Sequence, residues 1–219
     1  MSLMHGKMQI AHTVYFSVQV PDHDGPWPAL IVLHGFGQVA AEFTKIFSPL
    51  AERGILVAAP QAPHQYYKNL ADRQVGFSWL TRYERDQSIH DFVNYMEKFY
   101  DLLAHAHRLD PQRIFILGFS QGVSMAYRLW AHGQVPLAGL IACGGDLPPD
   151  AGERLQNLKP LQVLLVHGKR DPVVPLSKAQ EAYAQLSSYN IPVDLFEFAG
   201  EHLIPSEAIA RIAQMMEAN

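Results

Sequence analysis

Ile114-Phe115-Ile116-Leu117-Gly118-Phe119-Ser120-Gln121-Gly122 is an apolar strand candidate that runs directly into a G-x-S-x-G turn, and a helical segment follows over residues 121–131. The bare pattern is weak, because a glycine-rich turn between a strand and a helix is also ordinary structural punctuation. Its context is more telling. A sharp strand-to-helix turn holds a serine hydroxyl out from the sheet, and glycines on either side remove side chains that would collide with the neighbouring strand and helix. Ser120 is therefore the candidate nucleophile.

Working outward from this turn, short runs rich in Val, Ile and Leu alternate with longer helical patterns, the signature of a mostly parallel sheet covered on both faces. Strands are expected at 29–33, 55–59, 114–117, 140–143, 163–166 and 193–198. Residues 12–20 alternate, with Val14, Phe16, Val18 and Val20 on one side, and are read as a half-exposed edge strand. The clearest helix is 88–107, where Ile89, Phe92, Val93, Met96, Phe99 and Leu103 follow the i, i+3, i+4, i+7 stripe, with Ser88 and Asp91 placed to cap its start. Other helices are expected at 40–52, 177–187 and 205–217. Residues 60–86 form the one long irregular stretch, 27 residues carrying Tyr66, Tyr67, Phe77, Trp79 and Tyr83. That is too aromatic for a disordered linker, so it is read as an ordered loop near the site.

A serine hydroxyl needs a base to take its proton, and the base needs an acid to orient it and stabilise its charged form. Where the nucleophile sits on this kind of elbow, chain order runs nucleophile, acid, histidine. Of the 11 histidines only His202 lies beyond residue 167, which makes it the base candidate. It follows the 193–198 strand through Ala199-Gly200-Glu201. For the acid, Asp171 lies just past the 163–166 strand in His167-Gly168-Lys169-Arg170-Asp171-Pro172-Val173-Val174-Pro175, a loop stiffened by two prolines. Asp146, after the preceding strand in Gly144-Gly145-Asp146, competes for the role. Strand-end aspartates also form plain turns, and Asp171 is preferred.

An attacked carbonyl becomes an oxyanion and needs two preset donors. The backbone N–H of Gln121 is one candidate. The other is that of Phe36, in His34-Gly35-Phe36-Gly37-Gln38, where the glycines permit close backbone approach. Phe36, Tyr66, Phe77, Trp79 and Leu80 are the candidate walls of a substrate pocket.

The chain has 219 residues, 48% hydrophobic and 17% charged, with 17 Lys and Arg against 21 Asp and Glu for a net charge of −4. One domain over residues 1–219 is expected, with residues 1–8 as a flexible lead-in and residues 1–3, ahead of a second methionine, open to reading as a cloning remnant. A net negative chain without a basic stripe does not suit nucleic acid. No apolar run approaches the ~20 residues of a membrane span, so no stable membrane insertion is expected. The single cysteine, Cys143, leaves no disulfide framework or multi-cysteine metal site, and with no secretory signal at the start the expected location is the cytoplasm. Nothing in the sequence separates a monomer from a homodimer.

Taken together, the Leu33-His34-Gly35-Phe36-Gly37 turn, Asp110-Pro111-Gln112-Arg113-Ile114 leading into the serine elbow, Gly76-Phe77-Ser78-Trp79, the His167 to Pro175 loop and Gly200-Glu201-His202 resemble the carboxylesterase/phospholipase branch of the α/β-hydrolases. That branch includes acyl-protein thioesterases and lysophospholipases. The resemblance covers residues 29–202 and implies an α/β-hydrolase fold with no separate cap domain. It also implies a Ser-His-Asp triad that cleaves small carboxylic esters through an acyl-enzyme, or thioesters on the same machinery, without a cofactor. Val123 replaces a further glycine common in the family, and Gln38 replaces an acidic residue. Both departures bear on substrate rather than on reaction type.

Two readings from other classes remain. A non-catalytic protein could keep the pocket to hold a small apolar ligand, although all three triad candidates are present. A metal enzyme would use the histidines, but His105 and His107 are two apart on a helix and do not share a face, so no metal site is expected.

Overall fold

The computed structural model describes residues 3–218, and the expectation about Met1 and Ser2 lies outside them. Along β2 (Trp27–Leu33) the period of two sends Ala29, Ile31 and Leu33 to one face and Leu30 and Val32 to the other, and every one of them is buried. The same sorting holds in β3 (Leu56–Pro60), β6 (Leu109–Phe119), β7 (Leu137–Cys143) and β8 (Gln162–Gly168). A sheet apolar on both faces needs two helical layers. Helices α3 (Arg85–Ala106), α4 (Gln121–His132), α5 (Pro149–Leu155) and α6 (Leu176–Ser188) supply one. Helices α1 (Ala40–Thr44), α2 (Ser48–Ala51) and α7 (Ser206–Glu217) supply the other.

With β1 (Phe16–Gln19) and β9 (Val193–Phe198) at its edges, the sheet has seven strands in the order β1-β3-β2-β6-β7-β8-β9. All neighbours are parallel except β1 against β3. From β2 the chain moves outward to β3, and from β6 it moves the other way. The C-terminal ends of β2 and β6 therefore open onto the crevice where an α/β sheet binds its ligand. The oxyanion-turn candidate and Ser120 follow these two strands.

Several expectations need correction. The edge strand is Phe16–Gln19 rather than 12–20; the residues ahead of it are largely exposed and find no partner strand. The helix expected over 40–52 is broken into α1, a 3-10 turn at Lys45–Phe47 and α2, with Pro49 in the first turn of α2, where its missing N–H costs nothing. Helix α3 begins at Arg85, after Glu84 in the left-handed region, so Ser88 lies inside it and donates to Glu84 O rather than capping the start. Helix α5 is an addition to the helices expected from the sequence.

The stretch 60–86 is not irregular. It contains an antiparallel hairpin, β4 (His64–Asn69) and β5 (Gln74–Ser78), closed by a turn in which Asn69 Oδ1 accepts from Ala71 N and Asp72 Oδ1 accepts from Gln74 N. Five of the six β4 residues are exposed, so no apolar face announces the strand in sequence.

Candidate active site

Ser120 sits on the turn between β6 and α4 at φ 54° and ψ −117°, a backbone conformation costly for a residue with a side chain. Packing holds it there. Its N–H donates to Cys143 O at the end of β7 at 2.9 Å, and a Cβ added to Gly122 would lie 2.2 Å from Leu33 O. Only glycine at 122 lets α4 approach β2 this closely. The result places a hydroxyl over the N-terminus of a 12-residue helix, whose dipole favours negative charge.

The loop that carries Asp171 is built by hydrogen bonds to a single carboxylate. Asp171 Oδ1 accepts from Val173 N at 2.8 Å and Val174 N at 2.9 Å, and Oδ2 accepts from His202 Nδ1 at 2.6 Å. The Asp171 side chain is completely enclosed. Burial pushes its carboxyl up, but the bonds from Val174 N–H, His202 and Val173 N–H outweigh burial, and the net shift is downward, so the group stays ionised. The loop is tied to the His202 segment by Lys169 N to Phe198 O and Arg170 N to Gly200 O, each 2.9 Å. A Cβ on Gly168 would come within 2.2 Å of Glu201 O.

His202 thus pairs with Asp171, while the competing Asp146 is exposed. The Nδ1–H bond leaves Nε2 of the imidazole with a lone pair. The ring packs 4.8 Å from that of Phe119, the residue before Ser120, and against Gly144, the residue after Cys143. Ser120 Oγ itself forms no hydrogen bond to another described residue, a looseness common before substrate arrives.

On the β2 side, Gly35 N donates to Gln38 Oε1 at 2.7 Å and Gly37 N to Phe77 O at 2.8 Å. Gln38 therefore performs with a neutral amide the loop-holding role that an acidic residue could fill. Among the described residues, neither Phe36 N–H nor Gln121 N–H is taken by an intramolecular acceptor.

His34 underpins this turn. It is fully enclosed, its Nδ1 lies 2.8 Å from Gly35 O, and its Nε2 lies 2.7 Å from Gln61 Nε2 and 3.1 Å from Ala62 N. That partner set assigns the neutral Nδ1–H tautomer. Desolvation by burial lowers its pKa from 6.5 to about 4, against the opposing pull of the Gly35 bond. Between those values the unfolded chain binds a proton that the folded one refuses. The stabilisation is whole above pH 6.5 and is lost as pH falls toward 4, by about 3 kcal/mol in all. Urea midpoints for the natural protein and His34→Asn, taken from pH 7 to pH 4, are expected to converge as pH falls; parallel curves would remove this account of His34.

Of the candidate wall residues, Phe36 is 58% exposed and stacks on Tyr66 at a centroid distance of 4.9 Å, while Phe77 and Leu80 are half-buried against the core. Trp79 lies elsewhere than expected. Its ring is completely buried, packed on His34 and Phe92, with Nε1 donating to His34 O at 2.8 Å. It supports the 34–38 turn from beneath, because an indole needs both a large apolar seat and a partner for its N–H. Gln61, which holds both His34 and Ala40 N, gave no sequence signal.

No helix among the described residues is long and apolar enough to cross a membrane. A sequence profile of the phospholipase/carboxylesterase family matches residues 15–219. Over 159 residues, 72% of the chain, the sequence is 30% identical to NocK of Nocardia uniformis subsp. tsuyamanensis, provisionally named an esterase; the match spans 44% of that longer relative. Among solved structures, that of esterase PE8 aligns with a TM-score of 0.76 at 22% identity, over 94% of this chain and 98% of that one. The Bacillus cereus carboxylesterase aligns with a TM-score of 0.72 at 18% identity, over 94% of each chain. These likenesses establish the fold as α/β-hydrolase-like.

Proposed function

The chain belongs to the phospholipase/carboxylesterase family, and from that premise we propose that it hydrolyses carboxylic esters through Ser120, His202 and Asp171. The observation that carries this reading is the enclosed Asp171–His202 hydrogen bond of 2.6 Å, set at the same sheet edge as the strained Ser120 elbow. Asp171 holds the imidazole with Nδ1 protonated, so that Nε2 accepts the proton of Ser120 Oγ as the oxygen attacks the ester carbonyl. The oxyanion that forms is received by the N–H groups of Phe36 and Gln121 at the positive end of α4. The imidazolium then protonates the departing alcohol. Water, deprotonated by the same imidazole, releases the acid from the acyl-enzyme.

Phe36 and Tyr66, stacked at the site's margin, serve as an apolar wall for a small substrate, with Phe77 and Leu80 behind them. The same machinery accommodates a thioester, whose sulfur leaves as a thiol. The test is turnover of p-nitrophenyl and thiophenyl esters over a series of acyl lengths, together with labelling by a fluorophosphonate probe located by mass spectrometry. Hydrolysis and a label on Ser120 are the expected results. No turnover and no label, or a label on another serine, would defeat the proposal.

A further inference from the structure

The side chain of Gln121 makes more contacts than a backbone donor requires. Its Oε1 accepts from Trp79 N–H at 3.0 Å, and its Nε2 donates to Leu80 O at 2.9 Å and to Ser78 Oγ at 3.0 Å. Ser78 Oγ donates onward to Leu80 O at 3.0 Å. A carboxamide has two N–H groups and one carbonyl oxygen, so both N–H groups and the oxygen are committed. The residues it grips belong to one short strap, 77–80, which leaves the hairpin at the end of β5.

The strap's other contacts reach the oxyanion turn. Phe77 O accepts from Gly37 N–H, and the buried Trp79 ring donates from Nε1 to His34 O, each at 2.8 Å. Phe36 lies between His34 and Gly37. The two donor N–H groups therefore stand on the ends of different elements, β2 and α4, yet both ends are clamped to the same four residues. The β2–β6 register and the contact of Gly122 with Leu33 bring the two turns together, and the strap adds a second tie between the peptides that carry the two N–H groups.

We infer that the Gln121 carboxamide is a positioning residue that, through the 77–80 strap, sets the spacing of the Phe36 and Gln121 N–H groups; this rests on the hydrolase reading above. Donors must sit about 2.7–3.1 Å from the developing oxyanion, and a misplacement of about 1 Å can cost 10²-fold. A neutral amide suits the role because it can satisfy the strap's N–H and carbonyl groups at once. A carboxylate could only accept, and it would bring negative charge beside the oxyanion.

Gln121→Met removes the carboxamide at similar length, and Trp79→Phe removes the indole N–H that joins the strap to His34, together with part of the buried ring. Each is compared with the natural protein in kcat per fluorophosphonate-titrated site and KM on p-nitrophenyl acetate, and in affinity for an aryl trifluoromethyl ketone, whose adduct carries a tetrahedral oxyanion. For Gln121→Met, kcat is expected to fall about 10–100-fold with KM nearly constant and ketone affinity weakened alongside; Trp79→Phe should show the same pattern at smaller size. A merely structural role would lower Tm and the titrated fraction while leaving kcat per site and ketone affinity in place, and that result in either folded variant overturns the inference. Should Gln121→Met not fold, Trp79→Phe carries the test with the same readouts. If the natural protein neither turns over esters nor is labelled at Ser120, the hydrolase reading fails and the inference falls with it.

Discussion

Ser120→Ala is expected to reduce kcat by about 10⁵–10⁶-fold, the scale seen when a nucleophile of this kind is removed, with the fold intact. The structural reason for the intact fold is specific. The elbow at φ 54° is held by Ser120 N–H on Cys143 O and by the contact of Gly122 with Leu33, and neither uses the hydroxyl. Alanine keeps the Cβ that already occupies the space beside Gly35. Thermal unfolding should therefore move little while ester turnover all but disappears. Residual hydrolysis above background, through the oxyanion donors alone, is compatible with this account. A variant retaining more than about one hundredth of the activity would place the nucleophile elsewhere.

Asp171→Asn is expected to lower kcat by about 10⁴-fold, for a reason of tautomers rather than of charge alone. In the native arrangement Oδ1 accepts two backbone N–H groups, from Val173 and Val174, and Oδ2 accepts from His202 Nδ1. An asparagine has one oxygen and one NH₂. The two amides claim the oxygen, so the NH₂ faces His202 and can be satisfied only if Nδ1 becomes the acceptor. The ring proton then sits on Nε2, and the lone pair needed to receive the Ser120 proton is gone. KM should change little. The downward shift of the Asp171 carboxyl implies that Asp171 stays ionised throughout the neutral range. Measuring kcat for the natural protein and the variant settles the matter: a loss below tenfold would mean that Asp171 only braces its loop.

What could be read in advance divides along physical lines. Continuously apolar strands such as Leu140 to Cys143 and Val163 to Val166 were legible because burial on both faces leaves a compositional mark. Helix α3 was legible through its stripe of six apolar residues, all buried. The elbow at Ser120 could be recognised because its constraints lie within a few consecutive residues. Hairpin β4–β5 leaves no such mark because an exposed ribbon needs no alternation of apolar residues; its register comes from pairing such as Tyr66 with Gly76. The break between α1 and α2 falls just ahead of Pro49, which a continuous helix would carry in its interior without an N–H to donate.

The sequence by itself determined the α/β class and the order in which a serine, an aspartate and a histidine follow its strands, since each depends on local spacing and backbone freedom. Only the tertiary structure decided which aspartate meets His202. Asp146 and Asp171 both follow apolar strands, but only the second has backbone N–H groups and a histidine converging on it. It likewise decided that Trp79 is a support rather than a wall, and that Gln121 binds a strap through its side chain. These outcomes turn on groups far apart in the chain, where a hydrogen bond exists or fails over a few tenths of an ångström, and no pattern of residue types encodes a distance.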